Sequence, residues 1–278
     1  MKKIVKCILQ KIAYKYNRNI IIPVVQNISK NKLLDGKVAL VIGGAGDIGG
    51  TIVDTFIRSG CKVVIASRNE SELKRKADKY NENQIGYICV DLEEPYSFDY
   101  FIQSVKEIFG KIDILVNAAG THTPDVDFWT ISEDEYDRVL DINLKGCYFM
   151  CRAVAKYMRT NKIEGHILNI SSSVATEPAW SPYRISKRGL ESITIGLAKI
   201  LLPYKIIVNS IAPGTVATKL NGFNIKNDGI NTDTNEVGRM ILPQEIANYA
   251  LLLVSDLGNM VIGDTLYISG GRGVFDIR

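Results

Sequence analysis

The stretch that most constrains the fold is VALVIGGAGDIGG, residues 38–50. Val38, Ala39, Leu40, Val41 and Ile42 form a short continuous apolar run, the pattern of a parallel strand covered on both faces. Glycines then interrupt it, and apolar residues resume at helical spacing, which predicts strand, tight turn and helix. Gly43, Gly44 and Gly46 allow the backbone to turn sharply and approach a ligand, and Gly49 allows the helix to pack on the strand. A helix entered this way aims unpaired N–H groups and its positive end at whatever lies above the turn, an environment suited to a pyrophosphate. Gly44-x-Gly46-x-x-Gly49 satisfies the dinucleotide fingerprint, although a glycine-rich structural turn produces the same local pattern.

Beyond residue 34, strand and helix signals alternate. Strands are expected at 62–67, 85–91, 112–117, 166–170, 206–211 and 265–268. Helices are expected at 69–80 with Asn69 as N-cap, at 97–109, and from a Ser132-x-x-Glu135 capping box through Met158. Two more follow at 182–202 and 243–255. This alternation specifies an α/β fold: a single-domain, doubly wound parallel sheet of the Rossmann type over residues 35–278, with ligands at the carboxyl ends of the strands. Residues 221–235, rich in Asn, Gly and Asp, break the pattern and are expected to form a mobile surface segment where a lid would sit.

Residues 1–34 stand apart as a basic N-terminal extension. They carry eight basic residues and no acidic one, leaving 26 basic against 30 acidic residues in 35–278, so the overall charge of +4 conceals a slightly acidic main domain. Ile4, Ile8 and Ile12 recur every four residues among lysines, as in a basic amphipathic helix. Such an arm suits peripheral contact with an anionic membrane or a partner protein, and equally an appendage that packs on its own domain or is disordered. No run of about 18 apolar residues suggests a membrane span, and the lysines interrupt any secretory core. Five scattered cysteines read as reduced thiols of a cytoplasmic protein, with no metal-site spacing even for Cys147 and Cys151 on one helix face beside only two histidines. The acidic main domain disfavours specific nucleic-acid binding.

Two positions speak to chemistry. At the end of the second strand, where a carboxylate would accept the ribose hydroxyls of NAD, stand Ser67 and Arg68 with no carboxylate beside them. They favour NADP, with NAD as the alternative. Glu70 is close but belongs to the next helix. Further on, Ser181-Pro182 starts a helix and puts Tyr183 and Lys187, four residues apart, on one face of its first turns. A tyrosine of ordinary pKa near 10 is a poor proton donor at neutral pH. A nearby ammonium, helped by an oxidised nicotinamide, would lower that value and let Tyr183 exchange a proton with a carbonyl or alcohol oxygen, which a neighbouring serine could also hold.

With these motifs assembled in order, residues 35–278 resemble the classical short-chain dehydrogenase/reductase family. The family's TGxxxGxG turn aligns with Ile42, Gly43 and Asp47-Ile48-Gly49, so that Asp47 replaces the middle glycine and brings a negative charge toward phosphate. Asp91-Leu92 matches the adenine-contacting pair, and Asn117-Ala118-Ala119-Gly120 matches NNAG. Pro213-Gly214-Thr215-Val216-x-Thr218 matches the segment that binds the nicotinamide half, and Ser269-Gly270-Gly271 the terminal DGG. Asn143 matches the catalytic asparagine, Ser172 the catalytic serine within a register of Ser171 to Ser173, and Tyr183-x-x-x-Lys187 the YxxxK pair.

The resemblance implies hydride transfer between a nicotinamide dinucleotide and a small carbonyl or alcohol substrate. Tyr183 would be the proton donor, Ser172 would position the oxygen, Lys187 would hold the ribose, and Asn143 would keep a water for proton resupply. It also implies a homotetramer or homodimer. A sugar-like substrate of surface polysaccharide assembly is the first expectation, reduction of a 3-oxoacyl thioester the second, and a non-catalytic dinucleotide sensor or scaffold the third. The retained proton donor argues against the last.

Overall fold

The computed structural model describes residues 32–123, 126–223 and 229–272. The basic arm therefore lies outside the described residues except for its last three, as does the middle of the 221–235 segment. Seven parallel strands form one sheet: β1 (Val38–Ile42), β2 (Lys62–Ser67), β3 (Ile85–Cys89), β4 (Ile114–Asn117), β5 (Gly165–Ile170), β6 (Ile206–Pro213) and β7 (Thr265–Ile268). Their order is β3-β2-β1-β4-β5-β6-β7. The chain winds outward in both directions from the β1/β4 pair, which makes the crevice above these two strands the topological switch point.

Alternate residues of each strand feed two cores. Leu40, Ile42, Val64 and Ala66 face one layer of helices, and Ala39, Val41, Val63 and Ile65 face the other. All five residues of β1 are buried, so its continuous apolar run reflects cover on both faces. The first layer comprises α3 (Phe98–Phe109), α5 (Cys147–Thr160) and α6 (Pro182–Leu201). The second comprises α1 (Asp47–Arg58), α2 (Glu70–Ala77) and α7 (Pro243–Val254). The anticipated caps are present: Asn69 accepts from the Glu72 amide and Ser181 from the Arg184 amide, with Pro182 at the first helical position.

Three local expectations change. The box at Ser132 closes on one side only: Ser132 accepts from the Glu135 amide, while the Glu135 carboxylate pairs with Arg138. The expected long helix is α4 (Glu133–Leu140) and α5 joined by a π-helical turn, Asp141–Gly146, which contains Asn143. A Cβ at Gly146 would sit 2.5 Å from the Leu92 carbonyl oxygen, so the turn and the β3–α3 loop pack directly on one another. The far side of the 221–235 segment is tied down. Asn231 bridges Arg239, Asn235 donates to the Arg239 carbonyl at 2.8 Å, and Thr234 meets Thr215 at 2.7 Å.

Candidate active site

The turn after β1 and the start of the β4–α4 loop touch at the switch point. Gly43 adopts φ 78°, and a Cβ there would lie 2.6 Å from the Ala119 amide nitrogen. A Cβ on Gly49 would collide with the Gly43 carbonyl oxygen. These two glycines are thus required by the protein's own packing before any ligand is considered. Gly46 precedes α1 in extended conformation and gives the helix no side-chain cap, so the first amides of α1, from Asp47 to Gly49, face the crevice as donors for an anion.

Asp47 resolves the oddity of its position by reaching across. Its carboxylate accepts from the Lys219 amide at 2.7 Å, tying the glycine turn to the segment that follows Thr218. The charge nevertheless belongs to the first turn of α1, among the amides that could hold an anion. Asp47→Asn preserves an acceptor for Lys219 and removes that charge. It is expected to tighten NADPH and NADH alike by about fivefold, the effect of about 1 kcal/mol of relieved repulsion, read by fluorescence titration. Unchanged affinity for both dinucleotides would show that the carboxylate does not act on the diphosphate.

At the end of β2, Ser67 Oγ is buried and has no hydrogen-bond partner among the described residues, an orphan that a ribose hydroxyl or phosphate oxygen would satisfy. Arg68 is exposed, and its Nη1 lies 3.1 Å from Glu93 Oε2. The expected absence of a carboxylate is therefore corrected: Glu93, delivered by the β3–α3 loop, stands beside Arg68 and offsets part of its charge. Asp91, next to it, accepts from the Glu93 amide at 3.0 Å, and Leu92 is buried. A second correction concerns Asn117. Its side chain turns inward, donating to Asn169 Oδ1 at 2.9 Å and to Cys151 Sγ, and so joins β4 to β5 instead of facing the crevice. Ala118, Ala119 and Gly120 after it do line the crevice.

A cleft of about 390 Å³ opens beyond these turns, bounded by Ser172, Tyr183, Lys187 and the 213–216 segment with Thr218. Of the three serines, Ser172 is the one within hydrogen-bonding reach of Tyr183, whereas Ser171 Oγ donates to the Lys187 carbonyl and to Glu191, and Ser173 Oγ is buried without a partner among the described residues. Lys187 is buried beneath Tyr183, its Nζ 5.8 Å from the ring centroid and donating to the Ile170 carbonyl at 2.9 Å. Asn143 is fixed from both ends by Thr121, accepting from its amide at 2.8 Å and donating to its carbonyl at 2.9 Å. A Cβ on Gly120 would stand 3.5 Å from both Asn143 Oδ1 and Lys187 Nζ, which brings the asparagine and the lysine to one small space.

Burial dominates the electrostatics here. It pushes the Tyr183 hydroxyl above its ordinary value, against the hydrogen bond from Ser172 and the positive charge of Arg272, which lower it. The same burial brings Lys187 down to about 8. Without a dinucleotide the net direction for Tyr183 is thus upward, with Arg272 among the groups that act against burial, and the lowering expected there also calls on the charge of a bound oxidised nicotinamide. Sequence reasoning missed Arg272, and also His122, whose ring packs 4.5 Å from that of Tyr183. It missed Arg138 as well, which donates to the Thr121 side chain at Oγ1 and to the His122 carbonyl. Among the described residues no cluster suits a metal and no helix is long and apolar enough to cross a membrane.

Known proteins share this layout. A family model described as enoyl-(acyl carrier protein) reductase matches residues 43–272. L-Rhamnose 1-dehydrogenase (NADP(+)) of Thermoplasma acidophilum is 34% identical over 245 residues, covering 85% of this chain and 96% of that protein. The 3-oxoacyl-[acyl-carrier-protein] reductase of Rickettsia bellii is 31% identical, with 86% and 97% covered. The crystal structure of 3-ketoacyl-(acyl-carrier-protein) reductase from Brucella melitensis, complexed with NADH, superposes with a TM-score of 0.79 at 29% identity, covering 87% of this chain and all of that one. The match runs from the glycine turn through the tyrosine–lysine helix to the arginine at the cleft, and the chain belongs to the short-chain dehydrogenase/reductase family of oxidoreductases.

Proposed function

We propose that this chain is an NADP-preferring oxidoreductase that interconverts an alcohol with a ketone or aldehyde, on a small, sugar-like substrate. The observation that carries the reading is the Tyr183 hydroxyl, bonded to Ser172 and stacked over buried Lys187, in a cleft at the switch point of the sheet. The amides of Asp47, Ile48 and Gly49 would hold the diphosphate, and Ser67 and Arg68 the adenosine ribose and its phosphate. Asp91 and Leu92 would border the adenine. Ala118 to Gly120 and the Pro213–Thr218 segment would border the nicotinamide half. When bound, the dinucleotide supplies or accepts the hydride.

The chain's own residues manage the oxygen. Tyr183 gives its proton to the carbonyl oxygen, and Ser172 donates a hydrogen bond to the same atom and keeps it in line. Lys187 keeps its ammonium beneath the phenol and stabilises the phenolate left behind. Asn143, clamped by Thr121, keeps a water through which Lys187 exchanges protons with solvent. Oxidation of an alcohol runs through the same groups in reverse.

NADPH consumption against a panel of ketoses, aldoses and small ketones, with product identification, tests the reading. No turnover of any carbonyl by protein that binds NADPH would leave the sensor or scaffold role in its place. Reduction of a 3-oxoacyl thioester is a second reading, supported by the Rickettsia bellii and Brucella melitensis relatives. The cofactor preference has its own test. Arg68→Ala is expected to weaken NADPH by about tenfold and NADH by less than about twofold, the loss of one exposed charge-assisted contact to phosphate. Equal losses for the two would remove the argument for NADP.

A further inference from the structure

If the cleft is a hydride-transfer site, the charges on its wall narrow the substrate. After β7 the chain takes two consecutive left-handed residues, Gly270 at φ 63° and Gly271 at φ 92°, and the Arg272 amide closes the turn on the Ser269 carbonyl at 3.3 Å. That reversal brings Arg272 to the cleft. Its Nε donates to Glu177 Oε1 at 2.8 Å and its Nη1 to Thr215 Oγ1 at 3.2 Å, so the guanidinium spans the loops that follow β5 and β6. Its Nη2 has no hydrogen-bond partner among the described residues. Arg184, beside Tyr183, pairs with the other oxygen of Glu177 at 2.9 Å. One carboxylate thus serves two guanidiniums. The described residues lining the cleft include Arg184, Lys187 and Arg272 and no Asp or Glu.

We propose that the substrate carries an anionic group, a carboxylate or phosphate monoester close to the reacting carbonyl, and that Arg272 recognises it. This rests on the proposed hydride-transfer reading and names its substrate class. A planar guanidinium, steadied by Glu177 and Thr215, is preorganised to form charge-assisted bonds to such a group. Among the described lining residues the charged ones are basic, and one carboxylate, Glu177, offsets only part of the two guanidiniums, so the positive potential left over raises the local concentration of anionic substrate. A cleft of about 390 Å³ is at the small end for ligand sites and must also take the nicotinamide half, which favours a short substrate. An acyl carrier places its phosphate a whole pantetheine arm away from the reacting carbon, out of register with an arginine whose charge acts on Tyr183.

The test uses the full chain saturated with NADPH. It is offered 3-oxobutanoate, 4-oxopentanoate and dihydroxyacetone phosphate, each paired with its neutral counterpart: the two methyl esters and dihydroxyacetone. NADPH oxidation and the fluorescence of bound NADPH are followed together. At least one anion is expected to act about tenfold or more effectively than its neutral partner, in kcat/KM or in the concentration that perturbs the bound dinucleotide. Arg272→Gln should bring that ratio to about one, and Arg272→Lys should restore part of it, with NADPH binding in each variant reporting an intact fold. Equal or better response to the neutral partners, a ratio that survives in Arg272→Gln, or no response to any anion would overturn the proposal. Anions that perturb bound NADPH while no carbonyl on any panel is reduced would uphold anion recognition and sink the hydride-transfer reading instead.

Discussion

Tyr183→Phe is expected to lower kcat for carbonyl reduction by about a hundredfold to ten-thousandfold, the range for loss of a positioned general acid, with NADPH affinity changed by less than roughly twofold. The substitution keeps the ring that packs on His122 at 4.5 Å and over Lys187 at 5.8 Å, so the wall of the cleft stays in place. It deletes only the hydroxyl that bonds with Ser172. Steady-state kinetics with NADPH titrations in parallel decide the matter: a variant retaining more than about a tenth of wild-type kcat could not have lost its proton donor. The pH profile supplies a second check. Reduction needs the phenol and oxidation the phenolate, and burial holds the hydroxyl above its usual value in the cofactor-free site. Reduction should therefore stay level through neutral pH and fall only on the alkaline side, while oxidation rises there.

What made Tyr183 legible was local. Ser181, Pro182, Tyr183 and Lys187 form cap, first turn and i, i+4 pair within seven residues, and the structure keeps that geometry because nothing distant is needed to produce it. The first strand was legible for a similar reason, since a parallel strand covered on both faces reads as a continuous apolar run, as β1 does, whereas β6, equally buried, carries Asn209 and Ser210 within it. Other features depend on partners far along the chain. Arg68 meets Glu93 25 residues away, Asp47 meets the Lys219 amide 172 residues away, and Arg272 joins loops 95 and 57 residues before it. No window around any of these residues contains its partner. The π-helical turn at Asn143 escaped because one additional residue per turn barely disturbs the apolar spacing from Leu140 to Met158. Asn117 misled because a motif position says which residue is present and not which way its side chain turns: it faces Asn169 and Cys151 in the interior.

The cost of placing an ammonium in this interior should itself be measurable. Lys187 is 4% exposed, its Nζ donates to the Ile170 carbonyl, and desolvation brings it from an ordinary 10.5 down to about 8. Between pH 8 and 10.5 the unfolded chain therefore holds this proton more tightly than the folded one, and stability rises with pH through that window. Below pH 8 the penalty is present in full. Lys187→Met keeps a similar volume and removes the charge, while leaving the Ile170 carbonyl short of one donor, which offsets part of the gain. The cofactor-free variant is expected to be more stable than wild type at pH 7 by about 1–3 kcal/mol, or about 2–6 °C in Tm, with the advantage shrinking toward zero near pH 10.5. Its turnover should fall by about a hundredfold or more, because the phenolate of Tyr183 loses the cation beneath it. Thermal unfolding of both proteins at pH 7 and pH 10, without dinucleotide, separates this from a merely structural lysine. If Lys187 were there to hold the fold, the variant would melt lower at pH 7, and the gap between the two proteins would not close as the pH is raised.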